Sequence, residues 1–200
     1  MHDDFHPEYA GTIAKAICYD LRDAVERIEI AGALRRKQQR VRGVSIIYVG
    51  KYEKIYEKED QGDLFGGFSG KRKLLGEVYR VEEKLPKLDW YLQYRKDEHG
   101  EFVSSIKGPL KFKAMINPQT GVPVDLFPVA SEMEWGVALL LKTGPTSFNE
   151  RIVEAARKKG YRCDGNRFFR MNDNSWTPCS TEQAFFDLCG IPWVDPEGRK

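Results

Sequence analysis

The spacing of apolar residues predicts several helices and strands along the chain. Ala10 to Val25 has apolar residues at helical spacing, which predicts an amphipathic helix. Arg27 to Ala31 alternates in strand fashion, and Val44 to Val49 is a continuous apolar run typical of a strand buried on both faces. The basic segment from Leu34 to Arg42 between these strands is expected to form a short helix or turn.

The middle of the chain, residues 51–106, has the least regular pattern. We expect a helix over Lys73 to Leu85 and strands over Leu88 to Tyr94 and Phe102 to Ile106. The glycine-rich residues 61–70 are expected to form a loop. This loop is not a phosphate-binding loop of the Walker type, because it lacks the Gly-Lys-Ser/Thr ending.

A β-hairpin and two helices are predicted in the second half of the chain. The hairpin joins Lys111 to Ile116 with Val122 to Val129 through an Asn-Pro-Gln-Thr-Gly turn. Ser147 to Lys159 has a polar start and a basic last turn, which predicts a helix that ends at Gly160. A shorter helix is predicted over Thr181 to Cys189, capped by Ser180 or Thr181.

Composition limits the class of protein. The 200 residues are 41% hydrophobic and 31% charged, which is typical of a soluble globular protein with one or two domains. The N-terminus is acidic and lacks the apolar core of a secretory signal, so we expect a cytoplasmic protein without membrane association. The four cysteines form no C-x-x-C pair, which favours buried thiols over a metal site.

Charge is unevenly distributed although the net charge is only +2. Any affinity for DNA must therefore come from local basic patches. One patch lies between Ile30 and Tyr52, and the other runs from Arg157, in the last turn of the helix predicted to end at Lys159, to Arg170. The candidate DNA-binding residues in these patches are Lys37, Arg40, Arg42, Arg157, Lys158 and Lys159.

Asp125 is the single carboxylate in an otherwise apolar strand, Gly121 to Val129. Burying a charge there costs several kcal/mol unless the charge is paired or binds a metal ion. Two alternatives follow. Asp125 is either a metal ligand or the partner of a basic residue, which is Arg42 or a neighbouring lysine.

Several segments resemble the family X DNA polymerases, the relatives of DNA polymerase beta. The Asp125 strand, Glu134-Trp135-Gly136-Val137 and Leu141 to Asn149 are similar to that family's third catalytic strand and thumb entry. Ile28 to Ile47 resembles its Gly-Ser-x-Arg-Arg-x(6)-Asp-x-Asp/Glu signature, and Phe185 to Trp193 resembles its closing segment.

The resemblance implies an α+β fold with two parts. Residues 1–130 would form a nucleotidyltransferase palm, a mixed or antiparallel sheet with helices on one side, in which residues 51–106 are divergent. Residues 131–200 would form a small thumb domain, giving a short palm–thumb form of the family. The residues that the resemblance assigns to nucleotide or phosphate binding are Gly32, Arg35, Arg36, Thr143, Gly144 and Asn149.

The chain departs from the family at the catalytic carboxylates. Gly43 and Ser45 stand where the signature has its two magnesium-binding acids, and Ala33 stands where it has serine. Asp125 is the surviving carboxylate of the three. Because two-metal phosphoryl transfer needs clustered acids, the sequence predicts a catalytically degenerate site.

Three functions remain open on the sequence. The first is a degenerate nucleotidyltransferase-fold protein that binds DNA or a nucleoside triphosphate through a basic palm and thumb surface. The second is an active minimal DNA polymerase that uses Mg²⁺. The third is a non-catalytic interaction or inhibitor protein that binds a protein partner.

Overall fold

The computed structural model describes residues 4–56, 74–103 and 108–200. The glycine-rich residues 61–70 and much of the strand predicted to end at Ile106 lie outside these ranges. The elements are α1 (Pro7–Leu21), β1 (Val25–Ala31), α2 (Gly32–Arg35), β2 (Val44–Gly50), β3 (Tyr52–Tyr56), β4 (Leu74–Tyr79), α3 (Arg80–Lys84), β5 (Gln93–Tyr94), β6 (Lys113–Ile116), β7 (Pro123–Pro128), α4 (Trp135–Thr143), α5 (Thr146–Lys158), β8 (Tyr161–Asp164), β9 (Arg167–Arg170) and α6 (Glu182–Cys189). Short 3₁₀ helices cover Leu85–Leu88, Glu132–Glu134 and Pro196–Gly198.

A mixed five-stranded sheet lies at the centre, in the order β1-β2-β7-β6-β5. β2 and β7 are parallel, and the other neighbouring pairs are antiparallel. The predicted β6–β7 hairpin is confirmed. The Asn117 Oδ1 atom accepts hydrogen bonds from the backbone N–H groups of Gln119 and Thr120, which holds the turn of this hairpin.

β2 is apolar on both sides, so both faces of the sheet have to be covered by other elements. Ala10, Ala14, Ile17 and Leu21 of α1 belong to one hydrophobic cluster with Ile46 and its neighbours on one face. Val81 of α3 is buried in the same cluster. The opposite face is covered by α4, outside the boundary predicted for the palm.

The helix α4 lies between two hydrophobic clusters. Its residues Trp135, Ala138 and Leu139 pack with Ile47 and Val49 of the sheet. On the other side of α4, Val137 and Leu140 pack in the cluster formed by the last part of the chain, whose largest members are Phe148, Phe168, Phe185 and Phe186. Fully burying a large apolar side chain contributes roughly 1.5–3 kcal/mol. This helix therefore joins the sheet to the C-terminal part.

Several elements differ from the sequence predictions. The segment predicted as a helix from Lys73 is strand β4 followed by α3, because Leu74–Tyr79 pairs with β3. In the Leu88–Tyr94 segment only Gln93 and Tyr94 form a strand, preceded by a 3₁₀ helix that has Pro86 in its first turn. Pairing with β3 overrides weak local preference in the first segment, whereas the second segment begins in a 3₁₀ helix and joins the sheet only at Gln93.

The sequence predictions contained no counterpart of β3, of α4 or of the β8–β9 hairpin. α4 is apolar on all sides and so shows no helical period, which is the pattern of a helix buried all round. The short β8–β9 hairpin alternates over too few residues to stand out. Among the described residues, no helix is long and apolar enough to cross a membrane.

Replacing Thr181 by alanine should lower the free energy of unfolding by about 1 kcal/mol. The Thr181 Oγ1 atom accepts a hydrogen bond from the backbone N–H of Ala184 at 3.1 Å, and so caps α6. The matched control is Ser180→Ala, which should leave stability unchanged. Urea denaturation measures both, and equal losses in the two variants would contradict the assignment of Thr181 as the cap.

Candidate functional site

The register of the sheet brings two of the three candidate catalytic positions, Ser45 and Asp125, into one row of residues, and Gly43 lies just before β2. Ala31 pairs with Ser45, Ser45 with Asp125, and Asp125 with Ala114. The row continues to Arg95, whose backbone N–H donates to the Ala114 carbonyl oxygen at 2.9 Å. Since side chains alternate along a strand, Ser45 and Asp125 lie on the face that α4 covers.

Arg95 is the partner of Asp125. Its Nη2 atom donates a hydrogen bond to Asp125 Oδ1. Neighbouring strands lie about 4.8 Å apart, so the long arginine side chain crosses one strand, where the residue in the row is Ala114. The small methyl group of alanine leaves room for this crossing.

The predicted pairing of Asp125 with Arg42 is wrong. The Arg42 side chain is 84% exposed, and its Nε atom lies 3.8 Å from Asp4 Oδ1. Arg42 precedes β2 in a loop, where its side chain points to solvent. The partner of Asp125 is instead Arg95, the residue that directly follows β5.

A second cation lies close to Asp125. Lys142, in the last turn of α4, has its ammonium group 4.5 Å from the ring centroid of Phe127. Burial lowers the pKa of Lys142, and the charge of Asp125 partly opposes this effect. Burial raises the pKa of Asp125, and the charges of Arg95 and Lys142 lower it by less.

The two positions of the missing acids have specific surroundings. A side chain at Gly43 would begin with a Cβ atom 2.7 Å from the carbonyl oxygen of Pro123, so an acid there requires the backbone to move. A Cβ atom on residue 32 would lie only 2.9 Å from the Ser45 Oγ atom. Gly32 also has a φ of 64°, in the left-handed region. Both features require glycine at position 32.

The residues of the row do not fit a two-magnesium site. Such a site needs several oxygen ligands with negative charge, whereas this row has one carboxylate that already accepts from Arg95. In the part of the chain that the structure describes, no three His, Cys, Asp or Glu side chains are grouped to hold a metal ion.

The arginines predicted to bind a triphosphate contact the C-terminal part of the chain. Arg35 donates two hydrogen bonds to the Glu182 carboxylate, at 2.9 and 2.6 Å, and one to Thr143 Oγ1 at 2.8 Å. Arg36 Nη1 donates to the Thr143 carbonyl oxygen. A role of either arginine in binding phosphate stays a prediction.

Glu182 also binds a second arginine. Its Oε1 atom accepts a hydrogen bond from Arg199 Nη1 at 2.7 Å, and both side chains are buried. The guanidinium of Arg199 lies over the rings of Phe148, Phe186 and Trp193. The carboxylate of Glu182 thus connects the Gly32–Arg36 turn with the last residues of the chain.

The other nucleotide-binding candidates make local contacts. Asn149 Nδ2 donates to the Leu141 carbonyl oxygen at 2.7 Å, which ties α5 to α4. Thr143 is buried, and the Cβ position of Gly144 lies 3.4 Å from Arg36 Nη1. These contacts position the bend between α4 and α5, and nucleotide binding by these residues stays a prediction.

The candidate DNA-binding residues are all exposed, and several pair with nearby acids. The Lys37 Nζ atom lies 2.6 Å from Glu197 Oε1. Arg157 and Lys158 both form ion pairs with Glu154. Exposed ion pairs of this kind are weak and do not prevent a phosphate from replacing the acid. Arg40 and Lys159 have no ion pair with a described residue.

Sequence reasoning missed three residues of the site, namely Arg95, Lys142 and Glu182. Arg95 lies in the divergent segment, where nothing in the sequence indicates its strand register. Lys142 could have been identified from the sequence, because it is the only charged residue in the apolar segment Trp135–Thr143. Glu182 lies in the first turn of the helix predicted over Thr181 to Cys189, and nothing in that pattern indicates its contact with Arg35.

Comparison with known protein families gives a match for the C-terminal part of the chain. The DNA polymerase beta thumb family matches residues 138–200. No curated protein sequence matches the chain significantly. Residues 138–200, which include most of α4 and all of α5, β8, β9 and α6, are therefore similar to the thumb domain of DNA polymerase beta.

Replacing Glu182 by glutamine should destabilise the protein by about 3–5 kcal/mol, because two guanidinium groups would lose a buried anionic partner. The matched control is Glu154→Gln, which removes an exposed carboxylate that also contacts two basic residues. Urea denaturation should show a large loss for the first variant and little change for the second. Similar midpoints for the two variants would contradict the role assigned to Glu182.

The stability difference between the wild type and Asp125→Asn should depend on pH. Burial raises the folded-state pKa of Asp125 above the unfolded value of about 4. Between these two values the folded state binds the proton more often than the unfolded state, so a falling pH favours folding. The wild type should therefore gain stability relative to Asp125→Asn between neutral pH and about pH 4. Urea denaturation at a series of pH values tests this, and a relative loss on acidification would mean that Arg95 dominates.

Proposed function

We propose that the chain is a family X polymerase-like protein that binds DNA and has lost nucleotidyl transfer. In this proposal the β1–β7 region is a nucleotidyltransferase-like palm with degenerate catalytic positions. The thumb match at residues 138–200 supports the relationship. The observation that carries the loss of catalysis is the contact between the Arg95 guanidinium and the surviving carboxylate, Asp125.

Charge explains why this contact opposes catalysis. Two-metal chemistry needs negative side chains that hold two cations about 3.5–4 Å apart beside the reacting phosphate. The row contains the carboxylate of Asp125 together with Arg95, and Lys142 is close by. Magnesium ions would meet a group of net positive charge there, so Coulomb repulsion opposes their binding.

Restoring the two acids would not by itself rebuild the site. Ser45 pairs directly with Asp125, so an aspartate at position 45 would lie in the right row. At position 43, however, the carbonyl oxygen of Pro123 occupies the space next to the backbone. The parallel pairing of β2 with β7 would have to change before an acid fits.

DNA binding is supported by the thumb match and by the exposed basic residues. The matched family is the thumb of a DNA polymerase, and Arg157, Lys158 and Lys159 lie at the end of helix α5 within the match. Arg40 and Lys37 follow the Gly32–Arg36 turn, which contacts the thumb through Arg35. Such residues contact the phosphate backbone and give affinity with little base preference.

The purified protein should bind DNA but should not extend a primer with either magnesium or manganese. Fluorescence anisotropy with a labelled DNA measures binding, and a gel of primer extension measures transfer. Asp125→Asn is the control for extension, because any true activity of this site should require Asp125. Template-dependent extension by the wild type that is lost in this variant would contradict the proposal and favour a minimal polymerase.

A pair of double variants tests the binding surface. Arg40→Gln with Lys159→Gln should weaken binding of all DNA sequences alike and reduce the salt dependence of the affinity. Lys15→Gln with Lys87→Gln removes the same charge from exposed positions elsewhere and should retain more affinity. Absence of DNA binding by the wild type would refute the proposed function and favour a protein-binding role.

A further inference from the structure

Lys142 carries a positive charge that no carboxylate in the described ranges neutralises at short distance. Its ammonium group lies over Phe127, and no described acid comes within the 4.0 Å of an ion pair. Asp125 is its nearest source of negative charge, but Asp125 is already paired with Arg95. The two cations, Arg95 and Lys142, are therefore close to one carboxylate, Asp125. The net charge of these three side chains is about +1.

Arg95 also has unused hydrogen-bonding capacity. An arginine side chain has five N–H groups, and Nη2 is the atom that donates to Asp125. The side chains of Arg95 and Asp125 are 26% and 31% exposed, so the pair is open to solvent on one side.

We infer that Lys142 and Arg95 form a binding site for a phosphate group that works without a metal ion. This inference rests on the proposed function and assigns a ligand chemistry to the same row. Arginine offers a planar fork that matches phosphate oxygens, and lysine offers a concentrated point charge. Because both side chains are partly buried, water and salt screen their attraction for an anion less than at an open surface.

The geometry explains why these two residues act together. Arg95 is positioned by its backbone hydrogen bond to Ala114, on the β5 side of Asp125. Lys142 comes from α4, which covers this face of the sheet. Asp125 is close to both residues, and its carboxylate accepts a hydrogen bond from the Arg95 guanidinium. The carboxylate thus becomes a positioning residue for an anion site instead of a metal ligand.

Two sources could supply such a phosphate group. One is a phosphate of the DNA backbone, and the other is the triphosphate of a free nucleotide. Both present the same tetrahedral anion, so the contacts alone do not separate them. Separate titrations with a labelled DNA and with inorganic triphosphate distinguish the two sources.

The test compares Lys142→Gln with the wild type in a buffer containing EDTA, and again with magnesium. Wild-type affinity should be the same or higher in EDTA. The variant should bind more weakly, and the slope of its log affinity against log salt should fall by about one. Lys142→Arg keeps the charge and should keep the slope, whereas Lys15→Gln is the control for a remote charge.

Loss of slope in the DNA titration alone identifies the backbone phosphate, and loss of affinity in the triphosphate titration alone identifies the free anion. Either result, or both, supports the site. If the wild type binds DNA but Lys142→Gln keeps its slope and affinity for both ligands, the inference fails and the proposed function stands. Binding that requires magnesium also overturns the inference. A protein that binds neither ligand refutes both.

Arg95→Gln provides a second route if Lys142→Gln does not fold, as judged by its melting transition. This variant removes the other cation and leaves the Asp125 charge next to the bound phosphate. Affinity in EDTA should therefore fall at least as far as in Lys142→Gln. Unchanged affinity in Arg95→Gln would overturn the inference independently.

Discussion

The in-register pairing of β1, β2, β7 and β6 determines which side chains meet at the candidate site. A shift of one residue in any of these pairs would turn the side chains to the other face. The register aligns Ser45, Asp125 and Ala114, and the small side chain of Ala114 lets Arg95 reach Asp125. Both faces of β2 are packed, since Ile46 and Ile47 are buried on opposite sides.

The thumb is held against this row by both apolar and ionic contacts. Helix α4 supplies Trp135 to the sheet side and Leu140 to the thumb side, so its position depends on both clusters. The pair between Arg35 and Glu182 joins the turn after β1 to α6. The net stability gained from a buried charge pair of this kind is smaller than the stability lost when one partner is removed. We therefore expect the Arg35–Glu182 pair mainly to favour one arrangement of the sheet and the C-terminal part.

The sequence was sufficient for the elements with a clear period and insufficient for contacts that depend on register. The α1 helix, the β6–β7 hairpin and the α5 and α6 helices follow from apolar spacing and turn residues, within a few residues at their ends. Helix α4 has no period because all its sides are buried. Arg95 could not be assigned to Asp125, because it lies 30 residues away in a segment with weak strand signals. The choice of Arg42 failed because Arg42 was expected beside Asp125 from its position next to Gly43 and Ser45, whereas its side chain lies in the exposed loop before β2.

The central claim is that Asp125 is held by Arg95 and is not a vacant metal ligand. The most direct measurement is the melting temperature of the wild type and of Asp125→Asn, each with magnesium chloride and with sodium chloride of the same ionic strength. A ligand that binds the folded state raises the melting temperature, whereas an ion that does not bind leaves it unchanged. We predict no stabilisation specific to magnesium in either protein. A magnesium-specific rise in the wild type that disappears in Asp125→Asn would contradict the account and restore Asp125 as a metal ligand.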